Sequence, residues 1–351
     1  MHHSQIKFGV RRLIADGTVL PAHPLALDAN RKLDTVHQRA LTRYYIDAGA
    51  GGLAIGVHTT QFAIRDVELY RPVLQLAAET ASAWTERPLV LVAGLAGSTR
   101  QAIAEADVAR GIGYHAGLLS LAAMKSASED EIVAHCEAVA REIPLVGFYL
   151  QPAVGGVLLS ADFWRRFAEI DNVIAIKIAP FNRYRTLDVL RGVYAAGALD
   201  RVTLYTGNDD HILLDLTLPF DLSDKGVTVR THIRGGLLGH WSVWTAAAIK
   251  QFERCKAARD QPTVPADLLA LDARVTDCNS AFFDVANDFH GCIAGCHEVL
   301  RRQGLLKGIW CLDPEEGLGP GQMQQIDRVY KEHADLSDDD FVTAHLQKWL
   351  A

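Results

Sequence analysis

The 351-residue chain is predicted to fold as a (β/α)8 TIM barrel followed by a C-terminal helical region. Two observations carry that expectation. Short apolar runs recur at an almost fixed interval, and each is followed by an amphipathic stretch that opens on a helix-start signal. With first residues at Leu89, Gly117, Leu145, Val173 and Val202, the steps are 28, 28, 28 and 29 residues, and Gly52 precedes Leu89 by 37. Near-continuous apolar strands that alternate with helices imply a parallel sheet covered on both faces.

In chain order, Val19-Leu20 is the first strand and Gly52-Leu-Ala-Ile-Gly56 the second. The third strand starts at Leu89; Ser98-Thr99 then opens a helix over 101–110. After the fourth strand at Gly117, Ser128-Glu-Asp-Glu131 reads as a capping box, in which the Ser128 hydroxyl and the Glu131 carboxylate satisfy free backbone N–H groups before a helix over 132–141. The fifth strand begins at Leu145, Ser160 caps a helix over 163–170, and strands six and seven begin at Val173 and Val202. The eighth falls in 227–243, where 227–230 and 236–240 both qualify and one of the two is a candidate inserted hairpin. Eight units by about residue 258 match the ~250 residues of a closed barrel, whereas an open doubly wound sheet needs no fixed count. Past Asp260-Gln-Pro262 the strand-like runs stop. Residues 264–306, 320–333 and 337–350 read as helices, broken at Gly304 and Gly317-Leu-Gly319-Pro320. The expected division is a barrel over 1–258 that carries the site, then a helical appendage over 259–351.

Composition narrows the function classes. With 49% apolar and 22% charged residues the chain can bury a large core. Forty-two acids against 35 bases, without a basic block, give no electrostatic support for nucleic-acid binding. No apolar run approaches the roughly 18 residues of a membrane span, and Lys7, Arg11 and Arg12 lead into no signal-like apolar segment, so a cytoplasmic location and no membrane partner are expected. Six cysteines are too sparse for a disulfide framework. Cys292 and Cys296 would share a helix face near His290 and His297, but without a second ligand pair no metal is expected.

Lys177 is the only charge in Val173-Ile-Ala-Ile-Lys-Ile-Ala-Pro180. Burial disfavours an ammonium ion, so a lysine there is either a strand-end residue with its head in water or a free amine able to attack a carbonyl. In such barrels chemistry belongs to the C-terminal strand ends. The second strand ends in His58-Thr59-Thr60, the fifth in Tyr149, and the seventh in Thr206-Gly207-Asn208-Asp209-Asp210. A hydroxyl pair, a phenol and an amine at one mouth suit imine chemistry: the phenol moves protons, Thr59 and Thr60 hold a carboxylate, and Gly207 lets backbone approach a ligand. In the eighth-strand region His240 is a second acid/base or a structural histidine, and Trp241 and Trp244 could line a pocket. His23 is a weaker candidate of the same kind. Gly94-Leu-Ala-Gly97 lacks the glycine order of a dinucleotide site, so no cofactor is expected.

Tyr149-Leu-Gln-Pro152, Asp171-Asn-Val-Ile-Ala-Ile-Lys177 28 residues after the tyrosine, Thr206-Gly-Asn-Asp-Asp210, Ala48–Gly56 and Leu300-Arg-Arg-Gln-Gly304-Leu305 together resemble the dihydrodipicolinate synthase/N-acetylneuraminate lyase family over nearly the whole chain. The resemblance implies a homo-oligomer, dimer or tetramer, acting on a 2-oxo acid such as pyruvate. In it Lys177 would form the Schiff base and Tyr149 would transfer protons. The two threonine roles, carboxylate binding and support of the tyrosine, would fall among His58, Thr59 and Thr60, because the turn is one residue longer than in the family. Read from the residues themselves, Gly207, Asn208, His240 and Trp241 are the further candidates for the substrate site. Two departures speak against dihydrodipicolinate synthesis itself. The fourth strand ends Leu121-Ala-Ala-Met124 where synthases carry a relay tyrosine, and Val154 stands where they carry an arginine for the second substrate's carboxylate. The expected activity is therefore a class I carbon–carbon lyase. The alternatives are a dehydratase or hydratase-aldolase on a 2-oxo sugar acid, or a barrel that binds a metabolite without turning it over.

Overall fold

The computed structural model describes residues 1–224 and 226–351. A first helix, α1 (Phe8–Asp16), precedes strand β1 (Val19–Pro21). Strand and helix then alternate: α2 (Thr35–Ala48), β2 (Gly52–Ile55), α3 (Tyr70–Trp84), β3 (Val90–Leu95), α4 (Thr99–Ile112), β4 (Ala116–Leu119), α5 (Glu129–Ala140), β5 (Leu145–Leu150), α6 (Ala161–Glu169), β6 (Val173–Ala179), α7 (Arg183–Ala195), β7 (Thr203–Thr206) and α8 (Ile212–Thr217). Strands β8 (Pro219–Asp224) and β9 (Val227–His232) pair antiparallel as a hairpin outside the barrel, and β10 (Gly235–Leu238) is its eighth strand. The run at 227–230 is thus the inserted hairpin. The half-exposed, alternating polar residues of β9 have no second apolar face to bury, whereas β10 is buried throughout.

The sheet order β1-β10-β7-β6-β5-β4-β3-β2 is parallel throughout. It closes between β1 and β2 through a parallel bridge from Ala22 to Ala54. The helix starts read from the sequence are present: Ser98 and Ser160 accept from the N–H groups of Gln101 and Phe163, and Ser128 and Glu131 form a reciprocal capping box. Each satisfies donors that the first helical turn otherwise leaves free, worth about 1 kcal/mol per cap.

Two apolar layers follow from strand alternation. One set of side chains, including Leu20, Val92, Leu118, Val146, Phe148, Ala175 and Leu237, fills the barrel interior, joined at the bottom by Ile6, Val10 and Ile14 of the N-terminal segment. The opposite set, including Leu53, Leu145, Tyr149, Ile176 and Ile178, packs outward against the helices. Helix α9 (Thr245–Arg259) completes the ring, and α10 (Ala266–Phe282), α11 (Cys292–Arg302), α12 (Gln322–Glu332) and α13 (Asp339–Leu350) form the C-terminal region. Helix α10 packs on α8, and α13 packs on α2.

Candidate active site at the barrel mouth

Lys177, the fifth of the seven residues of β6, points into the barrel in phase with Ala175 and Ala179. Across the ladder it stands opposite Phe148, with Nζ 4.3 Å from the centroid of that ring. Burial drives the amine's pKa well below that of an exposed lysine, to about 8, and the charge of the nearby Asp209 carboxylate partly offsets the effect. A pKa of about 8 leaves roughly a tenth of the amine as free base at pH 7, far more than an exposed lysine keeps, and that is the form that attacks carbonyls.

Asp209 follows β7 and lines the same cavity. Its Oδ1 accepts the backbone N–H of His240 at 3.0 Å, and its backbone carbonyl accepts from Asn279 Nδ2 at 2.6 Å. Burial raises the carboxyl pKa far above the usual range, against the pull of the His240 N–H and of Lys177. A carboxyl in that state can give a proton near neutral pH and take it back.

His58 and Thr59 also line the cavity, as does Gly207. Burial, reinforced by the Lys177 charge, lowers the His58 imidazole to about 4, so it is neutral at pH 7 and presents no cation to a carboxylate. The Thr59 hydroxyl donates to the Ala22 carbonyl at 2.8 Å, which leaves its lone pairs as the available polar function. A Cβ on Gly207 would lie 2.6 Å from Lys177 Cε, so only a glycine admits the lysine stem in this position.

Five expected site residues are not in the cavity wall. Tyr149 points away from Lys177: its hydroxyl donates to the Leu159 carbonyl at 3.2 Å, and its ring packs against Trp164 with centroids 5.2 Å apart. The cause is register. Leu145 pairs with Val173, but the ladder shifts and Val146 pairs with Ala175, so Lys177 faces Phe148 and Tyr149 faces Ile178. A one-residue slip transfers a side chain to the other face of the sheet. The Thr60 hydroxyl is held in the scaffold, accepting from Gly56 N at 2.9 Å and donating to His23 O, just past β1, at 2.6 Å. Asn208 is buried scaffold: Oδ1 accepts from Phe181 N and Nδ2 donates to Asp215. The His240 ring is buried and stacked on Phe282, and burial lowers it to about 4; only its backbone reaches the site, through Asp209. Trp241 packs on Phe252 and crowds Gly236, away from the mouth. His23 is likewise structural, bonded to Thr42 and Pro24.

Asp209, Phe148, Gln151 and Cys292 were not singled out for the site from the sequence, although all four line the cavity. Asp209 stood in the Thr206–Asp210 segment at a strand end, and strand alternation from Lys177 with the true register would have found Phe148. Cys292, with Phe283 and Phe289, comes from the C-terminal region, and no local pattern signals which loop will fold over a barrel.

A closed parallel barrel with a buried amine near the C-terminal end of its sixth strand defines the class, one in which the mouth holds the reactive groups. The chain belongs to the dihydrodipicolinate synthetase family, whose model matches residues 17–238. It is 30% identical over 228 residues to 4-hydroxy-tetrahydrodipicolinate synthase of Desulforudis audaxviator, covering 63% of this chain and 71% of the relative. The Nostoc sp. enzyme of the same name is 30% identical over 237 residues, 63% of this chain and 72% of the relative. In fold the chain is similar to chloride-inhibited dihydrodipicolinate synthase from Acinetobacter baumannii, solved with pyruvate (TM-score 0.73, 20% identity, 91% of this chain and 99% of the other). It is similar as well to N-acetylneuraminate lyase from Fusobacterium nucleatum (TM-score 0.71, 16% identity, 91% and 99%). Among the described residues no helix is long and apolar enough to cross a membrane.

Proposed function

We propose that the protein is a lyase in which Lys177 forms a Schiff base with the carbonyl of pyruvate or another 2-oxo acid, and in which Asp209 rather than Tyr149 moves the protons. The observation that carries this reading is a buried amine with a depressed pKa that shares a cavity with a buried carboxyl whose pKa is raised. Family membership and relatives named as synthases add support.

For cleavage of a 4-hydroxy-2-oxo acid, the free amine adds to C2 to give a carbinolamine. The protonated Asp209 gives its proton to the departing hydroxyl, water leaves, and an iminium ion stands beside the new carboxylate. That carboxylate takes the proton from the C4 hydroxyl as the C3–C4 bond breaks; the electron pair flows into the iminium to form an enamine, and an aldehyde leaves. Asp209 then returns the proton to C3; water adds to the iminium, its proton passes to the Asp209 carboxylate, and the carbinolamine collapses to release pyruvate and the free Lys177 amine, with Asp209 protonated again. Condensation is the reverse. His58, neutral and buried, and the free Gln151 amide at the rim can orient the acid by hydrogen bonds. Val154 at the cavity wall, with no arginine among the lining residues, supports a carbon partner other than that of a dihydrodipicolinate synthase. A homo-oligomer, dimer or tetramer, belongs to the same reading and rests on family membership alone.

The test is borohydride reduction in the presence of pyruvate, followed by peptide mass mapping. The expected result is a stable adduct on Lys177. An unmodified Lys177 under saturating pyruvate overturns the reading.

A further inference from the structure

The wall of the mouth beyond Lys177 is built from rings. Phe148, Phe181, Phe283 and Phe289 face the cavity together with Leu150 and Val154. Among the lining residues the ionisable groups are Lys177, Asp209, His58 and Cys292, and the first two are committed to the chemistry proposed above. His58 is neutral, and burial keeps Cys292 a thiol. With His58 and the Gln151 amide given to the acid head, a carboxylated or polyhydroxylated group placed against the ring wall would lose water and meet no charged partner, which is unfavourable for each polar atom left unpaired.

Two of these rings are held in backbone conformations that bulky residues avoid. Phe181 has φ +48 and Phe289 φ +66, and they come from unrelated parts of the chain, the segment after β6 and the segment before α11. The Phe181 N–H is held by Asn208 Oδ1 at 3.0 Å, and the Phe289 N–H by the carbonyl of Asp284, itself at φ +55. The two rings meet edge to face, centroids 5.9 Å apart and planes at 66°. Left-handed backbone at a non-glycine residue persists only where surrounding structure enforces it, and such sites concentrate at ligand clamps. Here the enforced geometry brings one ring from the barrel and one from the C-terminal region together beside the reactive amine. Ring edges and faces so arranged favour a further flat apolar group.

We infer that the group carried beyond the 2-oxo acid, and so the aldehyde released or captured, is uncharged and aromatic or otherwise planar and apolar. The inference rests on the lysine reading for what reacts and on the Phe181–Phe289 wall for what is selected.

Calorimetric titration separates the two, because binding does not require an imine. Phenylpyruvate and 2-oxoglutarate share a 2-oxo acid head and differ in carrying a ring or a carboxylate. Each is titrated into the full-length wild type and into Lys177→Met. Phenylpyruvate is expected to bind at least about tenfold tighter in both proteins, the scale of burying a ring against stranding a carboxylate. Phe181→Ala and Phe289→Ala should each shrink that preference several-fold. Equal or tighter binding of 2-oxoglutarate, or a preference unmoved in both phenylalanine variants, overturns the inference. If either variant fails to fold, the wild-type preference alone decides. Pyruvate trapping is read separately, so a barrel that prefers phenylpyruvate yet traps nothing sinks the lysine chemistry and leaves the selection standing.

Discussion

Lys177 and Phe148 face each other across the β5–β6 ladder, with the lysine nitrogen 4.3 Å from the phenyl centroid. A ring face attracts an ammonium ion and does nothing comparable for a free amine. The contact therefore retains some of the charged form that burial disfavours, and the amine is held in one orientation without a hydrogen-bonding anchor. Tyr149, the next residue along β5, is turned to the helices, which makes it a packing residue with a satisfied hydroxyl.

Tyr149→Phe is accordingly expected to cost about 1 kcal/mol of stability through the lost bond to Leu159. Turnover should change by less than about tenfold, far below the 10²–10⁴ expected when a proton-transfer group is removed. Steady-state kinetics with a thermal melt checks both. A hundredfold loss of turnover in a fully folded variant would place the phenol in the chemistry and refute its outward orientation.

Asp209→Asn should lower turnover by about 10²–10⁴-fold. Its effect on pyruvate trapping has a definite sign. Burial lowers the Lys177 pKa and the Asp209 charge raises it, so removing that charge lowers the amine further. The acid limb of the trapping rate, set by loss of the free amine as pH falls, should move to lower pH in Asp209→Asn. A limb displaced to higher pH, or an unchanged one, would show that Asp209 does not act on the amine.

Gly207→Ala tests how tightly the lysine stem is confined. The new methyl would sit 2.6 Å from Lys177 Cε and 2.8 Å from Ala179 Cβ, contacts that require the stem or the strand to move. Overpacking of this kind costs about 1–3 kcal/mol. The more specific expectation is a loss of Lys177 trapping larger than the fall in melting temperature predicts. Wild-type trapping in Gly207→Ala would mean that the amine does not need its present position.

Much of this architecture was legible because it follows from periodicity. Strands buried on both faces read as apolar runs, helix starts read as Ser98, Ser128 and Ser160, and their common spacing fixed the barrel. Lys177 stood out for the same reason, as a charge where the pattern admits none. What failed was the step from spacing to facing. The 28-residue repeat aligned Tyr149 with Lys177, whereas the shift between Leu145 and Val146 makes the working offset 29 and selects Phe148. A ladder irregularity has no signature in composition or alternation when every residue around it is apolar. Phe283, Phe289 and Cys292 were hidden differently, since their place at the mouth is set by how α10 and α11 pack on the barrel. Asn208 and His240 were read as ligand groups while their side chains lie in the scaffold here, since a buried polar side chain at a strand end is the same signal whether it binds ligand or backbone.

Asn208→Ala tests that last distinction. Asn208 Nδ2 donates to Asp215 Oδ2 at 2.9 Å and Oδ1 accepts the Phe181 N–H at 3.0 Å. Asp215 is fully buried, held also by Thr206 at 2.6 Å and by Arg183 at 2.5 Å. Truncation removes one donor from a buried carboxylate and strands the Phe181 N–H, each costing about 1–3 kcal/mol. The variant should unfold at clearly lower urea with an unchanged slope, the sign of a stability change without a change in the surface exposed. Because the same side chain steadies the strained Phe181 backbone, the preference for phenylpyruvate over 2-oxoglutarate should weaken while pyruvate itself is still trapped on Lys177. Loss of pyruvate trapping with stability intact would instead return Asn208 to the substrate site.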